Sequence, residues 1–314
     1  MLGGFGHATV IKLRLLFARY KLSMAPPIQA ATSDVVKLVQ STVELPTMPI
    51  VLARLGHVLA REDSSAGDVA KVLQSDPAIA ANILRIVNSA YYGLRVRVSS
   101  IPLAVSVLGF ATTRRVALRA AVFTVFGQRR EAIAQFDPVA FWKHSVFTGV
   151  AARALASVAH PFAEMHPEDA YMAGLLHDLG KIVLLEKRTA HYLEALRRAA
   201  AAGCPDAEAE KAVFGFTHAD VGAVLALKWS LAEELTAAIR YHHAPSRDPV
   251  HRPLSSLVHL ADRLAWQANL PSTVGTKPAP LDESVHASVG LSRDVVAATL
   301  PTLLGEFAEA EMPW

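Results

Sequence analysis

Apolar positions recur every three or four residues along almost the whole chain, the signature of helices that bury one face. In SSAGDVAKVLQ (64–74), Val69, Val72 and Leu73 share a face behind a serine cap. SDPAIAANILRIVNSAYYG (75–93) opens with Asp76 as N-cap and Pro77 in the first helical position. Its apolar residues Ile79, Ile83, Ile86 and Val87 keep helical spacing, and the helix is expected to stop at Gly93. SIPLAVSVLG (100–109) and TTRRVALRAAVFTVFG (112–127) follow. Runs that alternate with period two are scarce and no Asn-Gly or Asp-Gly hairpin turn occurs, so strands are not supported. The pattern predicts an all-α protein.

QRREAIAQFDPV (128–139) reads as a joint between two helical halves, with Asp137-Pro138 opening the next helix. Successive helices are then predicted in FWKHSVFTGVAARALASVA (141–159), PEDAYMAGLLHDLGKIVLLEKR (167–188), HYLEALRRAAAAG (191–203), DAEAEKAVFG (206–215), HADVGAVLALKWS (218–230), LAEELTAAIRYHH (231–243) and LSSLVHLADRLAWQA (254–268). PSTVGTKPAP (271–280) reads as a linker. SRDVVAATLPTLLGEFAEAE (292–311) reads as a last amphipathic, acidic helix, interrupted at Pro301. The expected organisation is a flexible leader over 1–33 and a main unit over 34–270, its halves 34–130 and 131–270. A linker and terminal helix over 271–314 complete it.

Apolar residues make up 52% of the chain and charged residues 19%, which suits a packed core and excludes a disordered chain. The single cysteine, Cys204, rules out an intrachain disulfide and fits a reducing, cytoplasmic setting. No stretch reaches the roughly 18 apolar residues of a spanning helix; the nearest, VALRAAVFTVFG (116–127), is interrupted by Arg119. The basic N-terminus (Lys12, Arg14, Arg19, Lys21) lacks the features of a secretory signal. It reads either as a surface-binding helix or as an over-long start, with Met24 as the alternative initiator. The net charge is only +3, yet residues 77–130 hold eight arginines and no acidic residue. Arg114, Arg115 and Arg119 are therefore interface candidates for an anionic partner; the alternative is pairing with carboxylates elsewhere in the fold.

LLHDLGKIVLL (175–185) sets His177, Asp178 and Lys181 in an otherwise apolar run. Of the 13 histidines, His144, His177, His218, His242 and His243 fall inside helices or at their ends in the second half. The other eight, His259 among them, fall near connectors, caps or polar faces, where a solvated or structural role is the default. Neighbours on a helix project about 100° apart, so His177 and Asp178 can address one metal or two adjacent ones. Imidazole with carboxylate suits Fe, Mn, Zn or Co rather than Ca or Mg. Asp262, in HLADRLAWQ, is a further carboxylate on an amphipathic helix. The bland alternative is a metal-free hydrogen-bonded network in the core.

The order His144, His177-Asp178, Asp262 resembles the H…HD…D ligand set of the HD superfamily of metal-dependent phosphohydrolases. His218 and His242-His243 resemble the added positions of its HD-GYP branch, which carries a second metal. LPTMPIVLARL (45–55), SDPAIAANILRIVNSAYYG and SSIPLAVSVLG are similar to the N-terminal helices of the HDOD family, a bacterial signalling relative. The resemblance implies an HD-type helical bundle behind an HDOD-type N-terminal subdomain. It also implies one or two divalent transition metals on His144, His177, Asp178, His218, His242, His243 and Asp262. It implies a regulator of bacterial signalling, binding a partner protein of a two-component or cyclic-di-GMP pathway, or a nucleotide. The alternative it carries is a phosphohydrolase in which Lys181 neutralises phosphoryl charge. After His242-His243 comes APSRDP, without the Gly-Tyr-Pro loop of HD-GYP enzymes, which weighs against cyclic-di-GMP hydrolysis. No DNA-binding motif is present, and a homodimer is left open.

Overall fold

The structure, a computed structural model, describes residues 26–40, 63–89, 97–109, 136–159, 167–229 and 231–309, with isolated positions at 42, 58, 61, 94, 95 and 113. The fold is all-α. The N-terminal half contains α1 (Pro26–Gln40), α2 (Ala66–Gln74), α3 (Pro77–Val87) and α4 (Ile101–Leu108). α1 starts inside the segment read as a leader and packs on the second half, where Lys228 Nζ donates to the carbonyls of Val39 and Gln40, each at 3.0 Å. Ser65 and Asp68 close a reciprocal capping box on α2. Asp76 caps α3 through the Ile79 amide at 2.9 Å. α3 ends at Val87 rather than at Gly93. The Asn88 side chain instead holds the backbone N–H and C=O of Val98, each at 2.8 Å, and so folds the chain back toward α4.

The second half contains α5 (Pro138–Val158), α6 (Pro167–Leu176), α7 (Leu179–Lys187), α8 (Thr189–Ala202), α9 (Asp206–Phe214), α10 (His218–Lys228), α11 (Glu233–Tyr241), α12 (Arg252–Gln267), α13 (Ser284–Val289) and α14 (Arg293–Glu309). α14 runs through Pro301 without the expected interruption. Pro301 and Ala297, whose carbonyl loses its helical donor, are both exposed, so the missing N–H falls on the solvent side of the helix. The single helix expected over 167–188 is broken at His177-Asp178 into α6 and α7. Asp178 stands at the N-cap position of α7 with φ −98° and ψ 8°, yet its side chain makes no cap bond. It is turned toward other partners.

Two glycine contacts decide how closely the central helices approach. Gly174 of α6 lies against α5 so tightly that a Cβ would sit 2.6 Å from the Thr148 carbonyl oxygen and 2.9 Å from Gly149 Cα. A Cβ on Gly180 of α7 would run into the His218 carbonyl at the start of α10. Backbone on backbone cannot yield, so these positions require glycine for space. The close α5–α6 and α7–α10 pairings bring the ends of four helices to one point, and α12 packs along α5 and α6 beside them. Besides the Lys228 bonds to α1, further polar contacts tie the N-terminal half to this assembly. Trp142 Nε1 donates to Asp76 (2.7 Å), Tyr171 Oη to the Gln74 carbonyl (2.8 Å), and Ser99 Oγ to Asp169 (2.6 Å).

Candidate metal site

At the convergence of α5, α6, α7, α10, α11 and α12, the structure brings together His144, His177, Asp178, His218, His242, His243 and Asp262. All are buried to 3% exposure or less, except His243, which is partly buried. His144 Nδ1 donates to the Leu270 carbonyl (2.7 Å), His177 Nδ1 to that of Gly174 (2.7 Å) and His242 Nδ1 to that of Ile239 (2.8 Å). His218 Nδ1 donates instead to the carboxylate of Glu210, 2.8 Å from Oε2. With Nδ1 committed as a donor, Nε2 is the nitrogen left to point inward, the arrangement typical of metal-ligating imidazole.

These Nε2 atoms meet around Asp178. Its Oδ2 lies 3.4 Å from His177 Nε2 and 3.8 Å from His144 Nε2. Its Oδ1 lies 3.2 Å from His218 Nε2 and 3.8 Å from His242 Nε2. Asp262 Oδ1 is 3.3 Å from His144 Nε2, and His243 Nε2 is 2.9 Å from His218 Nε2. The site thus has two halves, one of His144, His177 and Asp262 and the other of His218, His242 and His243, with one Asp178 oxygen facing each. Neither Asp178 oxygen accepts a well-aligned hydrogen bond, although both are buried and the Lys181 ammonium stands 2.8 Å from Oδ2. A buried carboxylate without aligned donors costs about 1–3 kcal/mol or more, and a cation between the two halves would remove that cost. The donor set therefore fits one or two divalent transition metals.

Charge in the site is divided. Burial alone would lower the His218 imidazole, but Glu210 reverses that and raises it to about 10. Burial lowers His242 to about 3, with His177 adding to the effect, and lowers His243 well below the ordinary histidine value. His177 is raised, because the adjacent Asp178 carboxylate outweighs burial. Burial opposes ionisation of Asp178, yet His177 and Lys181 hold it far below the usual carboxylate range.

Lys181 is fully enclosed: its ammonium forms ion pairs with Asp178 (2.8 Å) and Asp206 (2.7 Å) and donates a hydrogen bond to Ser272 Oγ (2.8 Å). Glu210, Asp206 and His259 carry no signal in the sequence. Glu210 grips both the backbone N–H of His218 (2.6 Å) and its ring, which only the α9–α10 turn makes geometrically available. His259 lies one helical turn before Asp262, donates Nδ1 to the His242 carbonyl (2.7 Å) and is fully buried. It is a structural residue, but not a solvated one. Arg114, Arg115 and Arg119 lie outside the described residues. Of the other arginines in that segment, Arg85 reaches Asn82 (3.2 Å) and sits over the Trp229 ring at 5.8 Å, and Arg97 donates to the Asn88 carbonyl.

An all-helical bundle that gathers this His/Asp set at its centre is an HD-type fold. The chain belongs to the HDOD domain family, which it matches over residues 45–245. Its structure resembles that of the MmoQ response regulator from Methylococcus capsulatus str. Bath, at 25% identity and a TM-score of 0.66, over 82% of this chain and 98% of that one. It also resembles an HDOD domain protein of unknown function from Geobacter sulfurreducens, at 23% identity and a TM-score of 0.56, over 91% and 99% of the two chains. An uncharacterized protein of Treponema pallidum (strain Nichols) is 26% identical over 220 residues. That stretch is 70% of this chain but only 42% of the relative's length. Among the described residues, no helix is long and apolar enough to cross a membrane.

Proposed function

We propose that this chain is a regulatory protein of bacterial signal transduction, whose HD-type half holds one or two divalent transition metals and whose output is binding of a partner protein or nucleotide. The observation that carries this reading is a pre-oriented set of candidate ligands of which all but His243 are buried. His144, His177, Asp178, His218, His242 and Asp262 are buried, so a phosphoester cannot touch them without rearrangement. The response-regulator relative supports a signalling context.

His144, His177 and Asp262 would hold one ion, His218, His242 and His243 the other, and Asp178 would bridge them. An imidazole ligates only through an unprotonated nitrogen, so loading is expected to weaken in acid. Lys181 is spent on Asp178, Asp206 and Ser272, and its role is to neutralise and orient the bridging carboxylate rather than a phosphate.

A second reading, a metal-dependent phosphohydrolase, is favoured by the one-oxygen-per-half geometry of Asp178. Two ions held by these residues would supply an activated water and charge stabilisation for a phosphoryl oxygen. The test is metal analysis of the full chain, followed by assay on bis-p-nitrophenyl phosphate and cyclic dinucleotides. The expected result is near-stoichiometric Fe, Mn, Zn or Co, lost in Asp178→Ala, with no turnover. Turnover that disappears in Asp178→Ala would replace the regulator with the enzyme. A chain that binds none of these metals would reduce the constellation to a core network.

A further inference from the structure

Residues 269–282 join α12 to α13 without regular structure, and the polypeptide turns there through Asn269 (φ 59°) and Gly275 (φ 77°). A free linker would leave its polar side chains in water. Here Ser272 is 2% exposed, Thr273 1% and Thr276 8%. The Leu270 carbonyl accepts from His144 Nδ1, and Ser272 Oγ accepts from Lys181 Nζ. Thr273 Oγ1 donates to Asp206 Oδ2 (3.1 Å), the oxygen that also lies 2.7 Å from Lys181 Nζ. The Thr273 hydroxyl has one proton, so Thr276 Oγ1, 2.7 Å away, donates to it in turn. The Lys277 amide donates to the Cys204 carbonyl (3.2 Å) and Arg263 to that of Ala279 (2.9 Å). At the far end the Asp282 amide donates to His259 Nε2 (3.2 Å), whose Nδ1 holds the His242 carbonyl. The segment is a strap tied at one end to His144 and at the other, through His259, to His242.

We propose that this strap is a positioning element of the metal site, with Thr273 and Ser272 as its working contacts, and that seating of the strap and metal occupancy are coupled. The inference rests on the metal-binding reading above and adds a mechanism of regulation to it. With the strap lifted, His144 loses the carbonyl that fixes its ring, and Lys181 and Asp206 lose the hydroxyls that complete their shells. The buried ammonium is then redistributed over the two carboxylates, and Asp178 is no longer held in place. Linkage is reciprocal: a cation that prefers the oriented ligands must also favour the seated strap. The strap continues into α13 and α14, and α14 lies on α5 with Phe307 edge-on to Phe147 (5.3 Å). The state of the site is thereby available to a helix that presents Val295 and Leu304 to solvent, 43% and 42% exposed.

The test uses the full chain and Co²⁺ as probe, read by its visible d–d bands and by hydrogen exchange of residues 269–282. Co²⁺ is expected to slow exchange in the strap of the native chain. Thr273→Val should weaken Co²⁺ binding about tenfold or more, within the range for outer-shell partners, and abolish the Co²⁺-dependent protection. Thr273→Ser, which restores the hydroxyl, should recover both. Native chain that shows d–d bands with no change in strap exchange would overturn the proposal and leave the metal site standing. So would a folded Thr273→Val that binds Co²⁺ within twofold of native. A native chain that binds no Co²⁺ removes metal site and coupling together. Should Thr273→Val fail to fold, exchange of the native strap with and without Co²⁺ decides the matter alone.

Discussion

His144 and His177 rest their Nδ1 atoms on backbone carbonyls, those of Leu270 and Gly174, whereas His218 rests on the Glu210 carboxylate. The two halves of the site therefore share residue types and differ in what stands behind them. In the first half, negative charge faces the centre directly, from Asp262 and one oxygen of Asp178. In the second half His218 and His242 share the other Asp178 oxygen, His243 stands against His218, and the compensating Glu210 carboxylate lies behind His218. A carbonyl fixes a tautomer; a carboxylate also raises the basicity of the ring it holds. Hence His218 is driven up by Glu210 against its burial, while His242, with only a carbonyl behind it, is driven down by burial and by the neighbouring imidazoles. The second half depends on a single outer residue in a way that the first does not.

The largest expected effect comes from forcing the halves apart. Gly180→Ala places a methyl group against the His218 carbonyl, where neither backbone can yield. The expected loss is roughly 3 kcal/mol or more, at or above the upper end for overpacked cores. Urea denaturation measures it. Gly222→Ala on the facing helix is the comparison: its methyl would meet Ile239 Cγ2 at 2.8 Å and the Gly180 backbone N at 3.3 Å, looser than the collision at Gly180, and should cost less. Equal costs would show that the α7–α10 approach is not set by Gly180.

Glu210→Gln tests the dependence of one half on one residue. The amide keeps the shape and cancels the charge, leaving His218 without its counter-ion. Metal affinity of the second half should fall by about 10–100-fold while the first half keeps its ion. Isothermal titration with Mn²⁺ would then show one tight and one weak event. A uniform loss at both events would mean that the halves act as one unit and that the division drawn above is wrong.

Much of the fold was legible because helix caps and faces are local. Ser65, Asp76, Asp137 and Thr217 each cap the helix that follows them, and the apolar spacing of 77–87 marks the face that α3 buries. The metal-type residues stood out as polar groups in apolar runs. What was not legible is non-local. The break at His177-Asp178 looks helical by spacing and exists because Asp178 turns to His144 on α5, His218 at the start of α10 and His242 at the end of α11. Glu210 and Asp206 lie in DAEAEKAVFG, a run that reads as a solvated acidic face. They are buried because Lys181 and His218 come to meet them from α7 and α10. The 271–280 segment has the composition of a linker, and composition does not reveal that its hydroxyls find buried charges.

The smallest effect lies at the far end of the strap, behind the second half. Asp282 accepts from the Ser284 hydroxyl and from the amides of Ser246 and Ser284. Its hydrogen bonds, that from the Ser284 side chain first, hold its carboxyl down to about 2. A folded-state value below the unfolded one, near 3.9, means that the ionised form stabilises the native state at neutral pH. That contribution is complete above about pH 5 and is lost as pH falls through 4 toward 2. Asp282 is partly exposed, so solvent screening keeps the effect within about 1 kcal/mol. Asp282→Asn should therefore lower the urea midpoint slightly at pH 7, and the gap from the native chain should narrow steadily below pH 4. A gap that stays constant down to pH 3 would show that the Asp282 charge contributes nothing. The strap would then be held at this end by the uncharged contacts, among them the Asp282 amide on His259 and Arg263 on the Ala279 carbonyl.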